Sequence, residues 1–207
     1  MPYFSSAGGF GTCIRSLSQA GGCLLAFSFR KRFIMSEGSR GGRLIAALVG
    51  FLALVGLDLY TKHLAEAALS GGKVIEIIPG VFELYFLRNS GAAFGIFQNQ
   101  KWLFTVIAVV MILAMTWVYI RIPAGKKYRP LGILLVFISA GAAGNLVDRL
   151  IYGSVRDFLY FCLINFPIFN VADIYVTCSV FVFFFLLLFR YKEEDAALLE
   201  QRIFSIK

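Results

Sequence analysis

Four apolar stretches, each close to twenty residues, decide what this chain can become. They run from Leu44 to about His63, from Trp102 to Ile120, from Leu131 to about Leu150, and from Val171 to Phe189. Lipid offers the backbone no hydrogen bonds, so a spanning segment must satisfy its own. A helix needs roughly 20 residues to cross about 30 Å of hydrocarbon. The chain is 59% hydrophobic and 15% charged. A soluble domain is typically about 45–50% apolar and about 25% charged. The sequence therefore predicts a mainly α membrane protein over residues 35–190, with four transmembrane helices and a small extracytoplasmic β-sheet between helices 1 and 2.

The net charge of +8 does not read as a nucleic-acid surface, because the basic residues flank the apolar runs and form no single face. Arg30, Lys31, Arg32, Arg40 and Arg43 precede the first span, Arg121, Lys126, Lys127 and Arg129 separate the second from the third, and Arg190 and Lys192 follow the fourth. The positive-inside rule then puts both termini and the middle loop in the cytoplasm, with residues 191–207 as a cytoplasmic tail. Residues 64–101 and 151–170 face outward. Within the first outer segment, Val74–Ile78 and Val81–Phe86 are β-type runs broken by Pro79-Gly80, a turn signal that places the β element at about 70–100. Residues 1–34, Gly- and Ser-rich, lack a secretory apolar core with a cleavage site. They read as a disordered extension or a start-site artefact ahead of Met35.

Polar residues gather at one end of spans three and four. Gly144-Asn145-Leu146-Val147-Asp148-Arg149 closes span three, Phe169-Asn170-Val171-Ala172-Asp173 opens span four, and Val155-Arg156-Asp157-Phe158 lies between. Asn145 and Asp148 share a helix face at i, i+3, as do Asn170 and Asp173. From Leu131 to Asp148 the helix rises roughly 25 Å, which carries the cluster to the outer boundary. Ionisable residues there are expensive and read as functional by default. Asp58 and Lys62 share a face of span one at i, i+4. They are either a self-neutralising pair that holds helices together or a support for the site. Asn89-Ser90-Gly91-Ala92-Ala93-Phe94-Gly95 is either a plain turn or a segment presenting an Asn amide to an extended ligand.

Two carboxyls held close cannot both ionise easily, so one keeps its proton. Such a pair can activate water and protonate a carbonyl or leaving amine. Asp173, at a helix N-terminus, is the acid expected to be charged, and Asp157 the one expected to be protonated. No Gly-x-Ser-x-Gly is present, and one His with four scattered Cys gives no zinc pattern, so neither a metal nor a cofactor is expected. The rival readings are a small transporter or channel, which would spread acids through the membrane depth, and a non-catalytic scaffold in which Asp148–Arg149 and Asp58–Lys62 only stabilise packing.

Asp58-Leu59-Tyr60-Thr61-Lys62, the Asn89–Gly95 segment and the three clusters above follow one another in an order that resembles the bacterial prolipoprotein signal peptidases, signal peptidase II. The resemblance covers about residues 43–190. It implies an intramembrane aspartic endopeptidase of the bacterial inner membrane. It would cut the signal peptide just before a diacylglyceryl-modified cysteine, use membrane-held prolipoproteins as substrates, and be inhibited by globomycin-type cyclic peptides. By the same resemblance Asp157 and Asp173 are the catalytic pair. Asn145, Asp148, Arg149 and Asn170 match the supporting cluster. Asp58, Lys62 and Asn89 match further polar residues around the substrate.

Overall fold

The computed structural model describes residues 40–91 and 101–205. The extension expected over 1–34 and the Ala92–Gly95 part of the Asn89 motif lie outside the described residues. Among the described residues, four helices are long and apolar enough to span a membrane: α1 (Arg40–Leu69), α2 (Lys101–Arg121), α3 (Arg129–Tyr152) and α4 (Val171–Phe189). The chain divides into two units at Arg43/Leu44, and the packing of helices and sheet is that of the second, Leu44–Lys207.

Helix α1 runs six residues beyond the His63 expected from hydropathy. Its last turns have a core of their own, because Ala65 and Leu69 bury against Phe158, Leu84 and Phe86. Gly71 and Gly72 then take positive φ angles of 84° and 79°, which end the helix at little steric cost. Helix α3 is the central one: half of its apolar window is buried, against 6% for α1 and α2. Helices α2 and α4 both pack on it. Its small residues permit close approach, since a Cβ on Gly141 would lie 2.5 Å from the Ala172 carbonyl oxygen of α4. Gly153, at φ 69°, closes α3 and donates its N–H to the Arg149 carbonyl.

Of the three strands among the described residues, two lie between α1 and α2 as expected, β1 (Val74–Ile78) and β2 (Phe82–Asn89), turned at Gly80. The third, β3 (Val155–Tyr160), comes from the α3–α4 connection, which hydropathy presents as an outer loop. The sheet is antiparallel in the order β1-β2-β3, with Asn89 opposite Val155 and Leu87 opposite Asp157. Leu159 and Phe169 exchange backbone hydrogen bonds at 2.8 and 3.0 Å, which ties the lead into α4 to β3. The tail is not plain coil either: α5 (Glu193–Phe204) contacts α2, and Asp195 receives bonds from Lys127 at 2.6 Å and Tyr128 at 2.7 Å.

Candidate active site

Helix α4 begins with Asn170, whose side chain accepts the Asp173 backbone N–H while the Asp173 carboxylate accepts the Asn170 N–H, a reciprocal cap. The cap fixes both residues at the helix start. The other end of the Asn170 amide is free to reach outward, and its Nδ2 donates to Asp157 Oδ1 at 2.7 Å and to Asn145 Oδ1 at 3.0 Å. Asn145, partly buried on α3, donates its own Nδ2 to Asp173 Oδ1 at 2.8 Å. Asn89, at the end of β2, donates to Asp157 Oδ2 at 2.8 Å, its orientation set by the Gly91 N–H on its Oδ1. Two acids from different elements are thus bridged by shared amides. In the described Asn89–Gly91 part of that motif, the Asn89 amide is turned to Asp157.

Asp157 is buried at 2% exposure, and Asp173 is half-buried. Burial pushes the Asp157 carboxyl up to about 7. The nearby Asp173 charge adds to the rise, while the Asn89 and Asn170 donors and the Lys62 charge oppose it. The direction expected for Asp157 from the sequence is the one found.

Beneath the pair lies a hub of fully buried charge. Lys62 Nζ donates to Asp58 Oδ2 at 2.8 Å and Asn145 Oδ1 at 2.8 Å, and stands 3.5 Å from Asp148. Asp58 in turn accepts the Ala172 N–H at 2.9 Å. Asp58–Lys62 is therefore more than a self-contained pair, because it joins α1, α3 and α4. The pairing of Asp148 differs from the one the scaffold reading assumes. Its partners are Lys62 and Arg156, whose Nη2 reaches Asp148 Oδ1 at 2.7 Å and whose backbone N–H reaches Oδ2 at 3.0 Å. Arg149 turns instead toward the ring of Phe104, 5.3 Å away, within electrostatic range of Asp173, Asp157 and Asp148. Sequence reading brought Asp58, Lys62, Asn89, Asn145, Asp148, Asn170, Asp157 and Asp173 to one place, and the structure does bring them together. It passed over Arg156 and Glu66. The available signal was a lone arginine beside an acid in an otherwise cation-poor outer segment. Among the described residues, no group of three or more His, Cys, Asp or Glu side chains is arranged to hold a metal ion.

Residues 50–189 match the family described as signal peptidase (SPase) II, a peptidase family. The lipoprotein signal peptidase of Streptococcus thermophilus (strain CNRZ 1066) is 41% identical over 155 residues, spanning 75% of this chain and 98% of that one. That of Brevibacillus brevis is 44% identical over 137 residues, spanning 66% and 87%. A solved bacterial membrane enzyme, determined by the in meso method at 2.3 Å resolution, superposes with a TM-score of 0.63 at 28% identity, over 72% of this chain and 92% of its own. These likenesses, with four candidate spans and two acids bridged by amides, define a membrane-embedded aspartic peptidase. The chain belongs to the signal peptidase II family, the lipoprotein signal peptidases, which cleave signal peptides from prolipoproteins.

Proposed function

We propose that Asp157 and Asp173 are the catalytic pair, and that the bond they cut precedes a diacylglyceryl-modified cysteine. The observation that carries this reading is the shared amide bridge: Asn170 holds Asp157 by its Nδ2 and caps the helix of Asp173, while Asn145 holds Asp173. The bridge fixes two carboxyls in relation to one another, as a two-acid hydrolysis requires. In the resting state Asp157 holds the proton and Asp173 is the anion. Asp173 takes a proton from water as the water oxygen bonds to the scissile carbonyl carbon. Asp157 gives its proton to the carbonyl oxygen, so a neutral gem-diol forms. Collapse of the diol returns a proton to Asp157 as the C–N bond breaks, and the proton held by Asp173 passes to the leaving amine. Asn145, Asn170 and Asn89 orient the acids. Arg149 offsets their charge, and the Asp58–Lys62–Asp148 hub fixes the helices that carry them.

The site sits at the end of α3 opposite the basic residues Lys126, Lys127 and Arg129. By the positive-inside rule that end faces outward and both termini face the cytoplasm of the bacterial inner membrane. A lipid-anchored cysteine is held at the same boundary, where water can reach the acids. Globomycin-type cyclic peptides would compete for this position. The test is cleavage of a diacylglyceryl-modified prolipoprotein in detergent. Asp157→Asn and Asp173→Asn should each abolish turnover while still binding the precursor. A scaffold would tolerate both near-isosteric changes, so retained cleavage by either variant would overturn the assignment.

A further inference from the structure

Arg156 immediately precedes Asp157 in β3, and successive strand side chains point to opposite faces. The residue is 4% exposed. It donates to Asp148 Oδ1 at 2.7 Å and Glu66 Oε2 at 3.2 Å, and it lies 4.6 Å from the centroid of the Tyr152 ring. Its backbone N–H is also bound, to Asp148 Oδ2 at 3.0 Å. Side chain and main chain of one residue are therefore clamped to one carboxylate of α3. Glu66, near the end of α1, also accepts from Arg88 of β2, and Arg88 lies 5.1 Å from the centroid of the same Tyr152 ring. Two strands of the sheet are thus fastened to α1 and α3 through two arginines, two acids and one aromatic ring.

This arrangement is far more than the solubility of a loop arginine requires. Burying a guanidinium is costly unless it is paired, and here it has two carboxylates and a ring face. We propose that Arg156 is a positioning residue for the peptidase reaction: by clamping β3 to Asp148 and Glu66 it sets where Asp157 stands against Asn170 and Asn89. The inference rests on the assignment of Asp157 as a catalytic acid and deepens it. The side-chain contacts of Arg156 given above are with Asp148, Glu66 and Tyr152, not with Asp157 or Asp173. It acts through the strand, and Glu66 and Arg88 complete the clamp from α1 and β2.

The test uses the full-length chain in detergent, a fluorescent diacylglyceryl-modified precursor peptide, and thermal melting of each variant. Arg156→Lys keeps the charge but loses the planar fork that serves Asp148 and Glu66 together. Misplacing an acid by an ångström costs up to about 10²-fold in rate, so Arg156→Lys should lower kcat about tenfold and Arg156→Met about 10²-fold, with KM unchanged. Glu66→Gln, at a partly exposed position, should lower kcat in the same sense by a smaller factor. Asp157 is faced by Asp173 from α4, Lys62 from α1 and Arg149 from α3. Displaced from its Asn89 and Asn170 donors, it would bind its proton more tightly, and the alkaline limb of the kcat–pH profile should move up in Arg156→Lys. A purely structural arginine would change melting without moving that limb. Should Arg156→Met not fold, Arg156→Lys and Glu66→Gln decide. Wild-type kcat and an unmoved limb in both, with Asp157→Asn inactive beside them, overturn this inference alone. A rise in KM at constant kcat overturns it too, because that would make Arg156 a substrate contact. Full activity of Asp157→Asn would instead remove the assignment on which it rests.

Discussion

Gly144→Ala tests whether the buried hub locks the helices. A Cβ on Gly144 would stand 2.2 Å from Asp58 Oδ2 and 3.0 Å from its Cγ. Asp58 has nowhere to go: it is fully buried, gripped by Lys62 at 2.8 Å and by the Ala172 N–H at 2.9 Å. Gly56, in α1, provides the control, because a Cβ there meets nothing within 4 Å. Inside a helix, Ala is favoured over Gly by about 1 kcal/mol, and at Gly56 that is the whole effect. At Gly144 the same gain is set against overpacking of about 1–3 kcal/mol. Displacing Asp58 adds the loss of a hydrogen bond to a charged group, about 1.5–3 kcal/mol. Mid-range values with one such bond lost leave Gly144→Ala less stable by about 3 kcal/mol, or about 10²-fold in the folding equilibrium. Thermal melting in detergent should therefore move the two variants in opposite directions, with cleavage falling in Gly144→Ala alone. If Gly144→Ala melts at or above Gly56→Ala, Asp58 is not pinned and the reasoning about the hub is wrong.

Three further outcomes follow from the same geometry. Asp157 titrates at about 7 in the folded chain against 3.8 for a free carboxyl. The folded state therefore holds a proton that the unfolded state releases, and stability declines as pH rises from about 4 to about 7. Asp157→Asn should remove that slope, melting higher than wild type at pH 8 but not at pH 4; parallel pH dependence in the two proteins would contradict it. Asn170→Ala should lose about 1 kcal/mol of helix capping together with most cleavage. Asn170→Ser, which keeps a cap but not the amide donor to Asp157, should recover melting and not rate; recovery of both would show that the amide is dispensable. Hydrogen bonds from Lys127, the Lys192 backbone and Tyr128 hold the Asp195 carboxyl down to about 2. Its contribution is complete above the free-carboxyl range and is lost progressively as pH falls from that range through about 2. At pH 7, Asp195→Asn should speed hydrogen exchange across Glu193–Phe204, and unchanged exchange there would rule out the clasp.

The spans were legible because hydropathy over twenty residues is a property of the segment itself, and Val171–Phe189 came out with its expected ends. The end of α1 was not, because residues past His63 are helical through burial of Ala65 and Leu69 against the sheet, a contact distant in sequence. β3 was hidden for a related reason. Val155-Arg156-Asp157-Phe158 shows no apolar–polar alternation, yet all four are buried, since its charges are inside by virtue of partners on other elements. A pattern method reads charge as exposure, and here charge marks burial. The same failure hid Arg156. Asp148 has an arginine beside it in sequence, but adjacent helix positions do not face each other, and the partner comes from the strand instead. The pair and its amides were found through motif order, which spacing alone would have left open.

The distribution of charge bears on why the two acids differ from the rest. In the hub and clamp, three acids, Asp58, Asp148 and Glu66, meet three cations, Lys62, Arg156 and Arg88. That set is neutral and needs nothing from outside. The donors to Asp157 and Asp173 described above are neutral groups: the amides of Asn89, Asn170 and Asn145 and a backbone N–H. Amides donate to a carboxylate without pairing it with a fixed charge, which suits the proton exchange proposed for this pair. Arg149 supplies one positive charge at longer range. In the resting state proposed above, one proton between the two acids leaves a single negative charge for that arginine to balance. Turning Arg149 toward Phe104 keeps it from locking either acid into a permanent ion pair. A direct Arg149–Asp173 salt bridge would hold that carboxylate too stable to accept a proton from water.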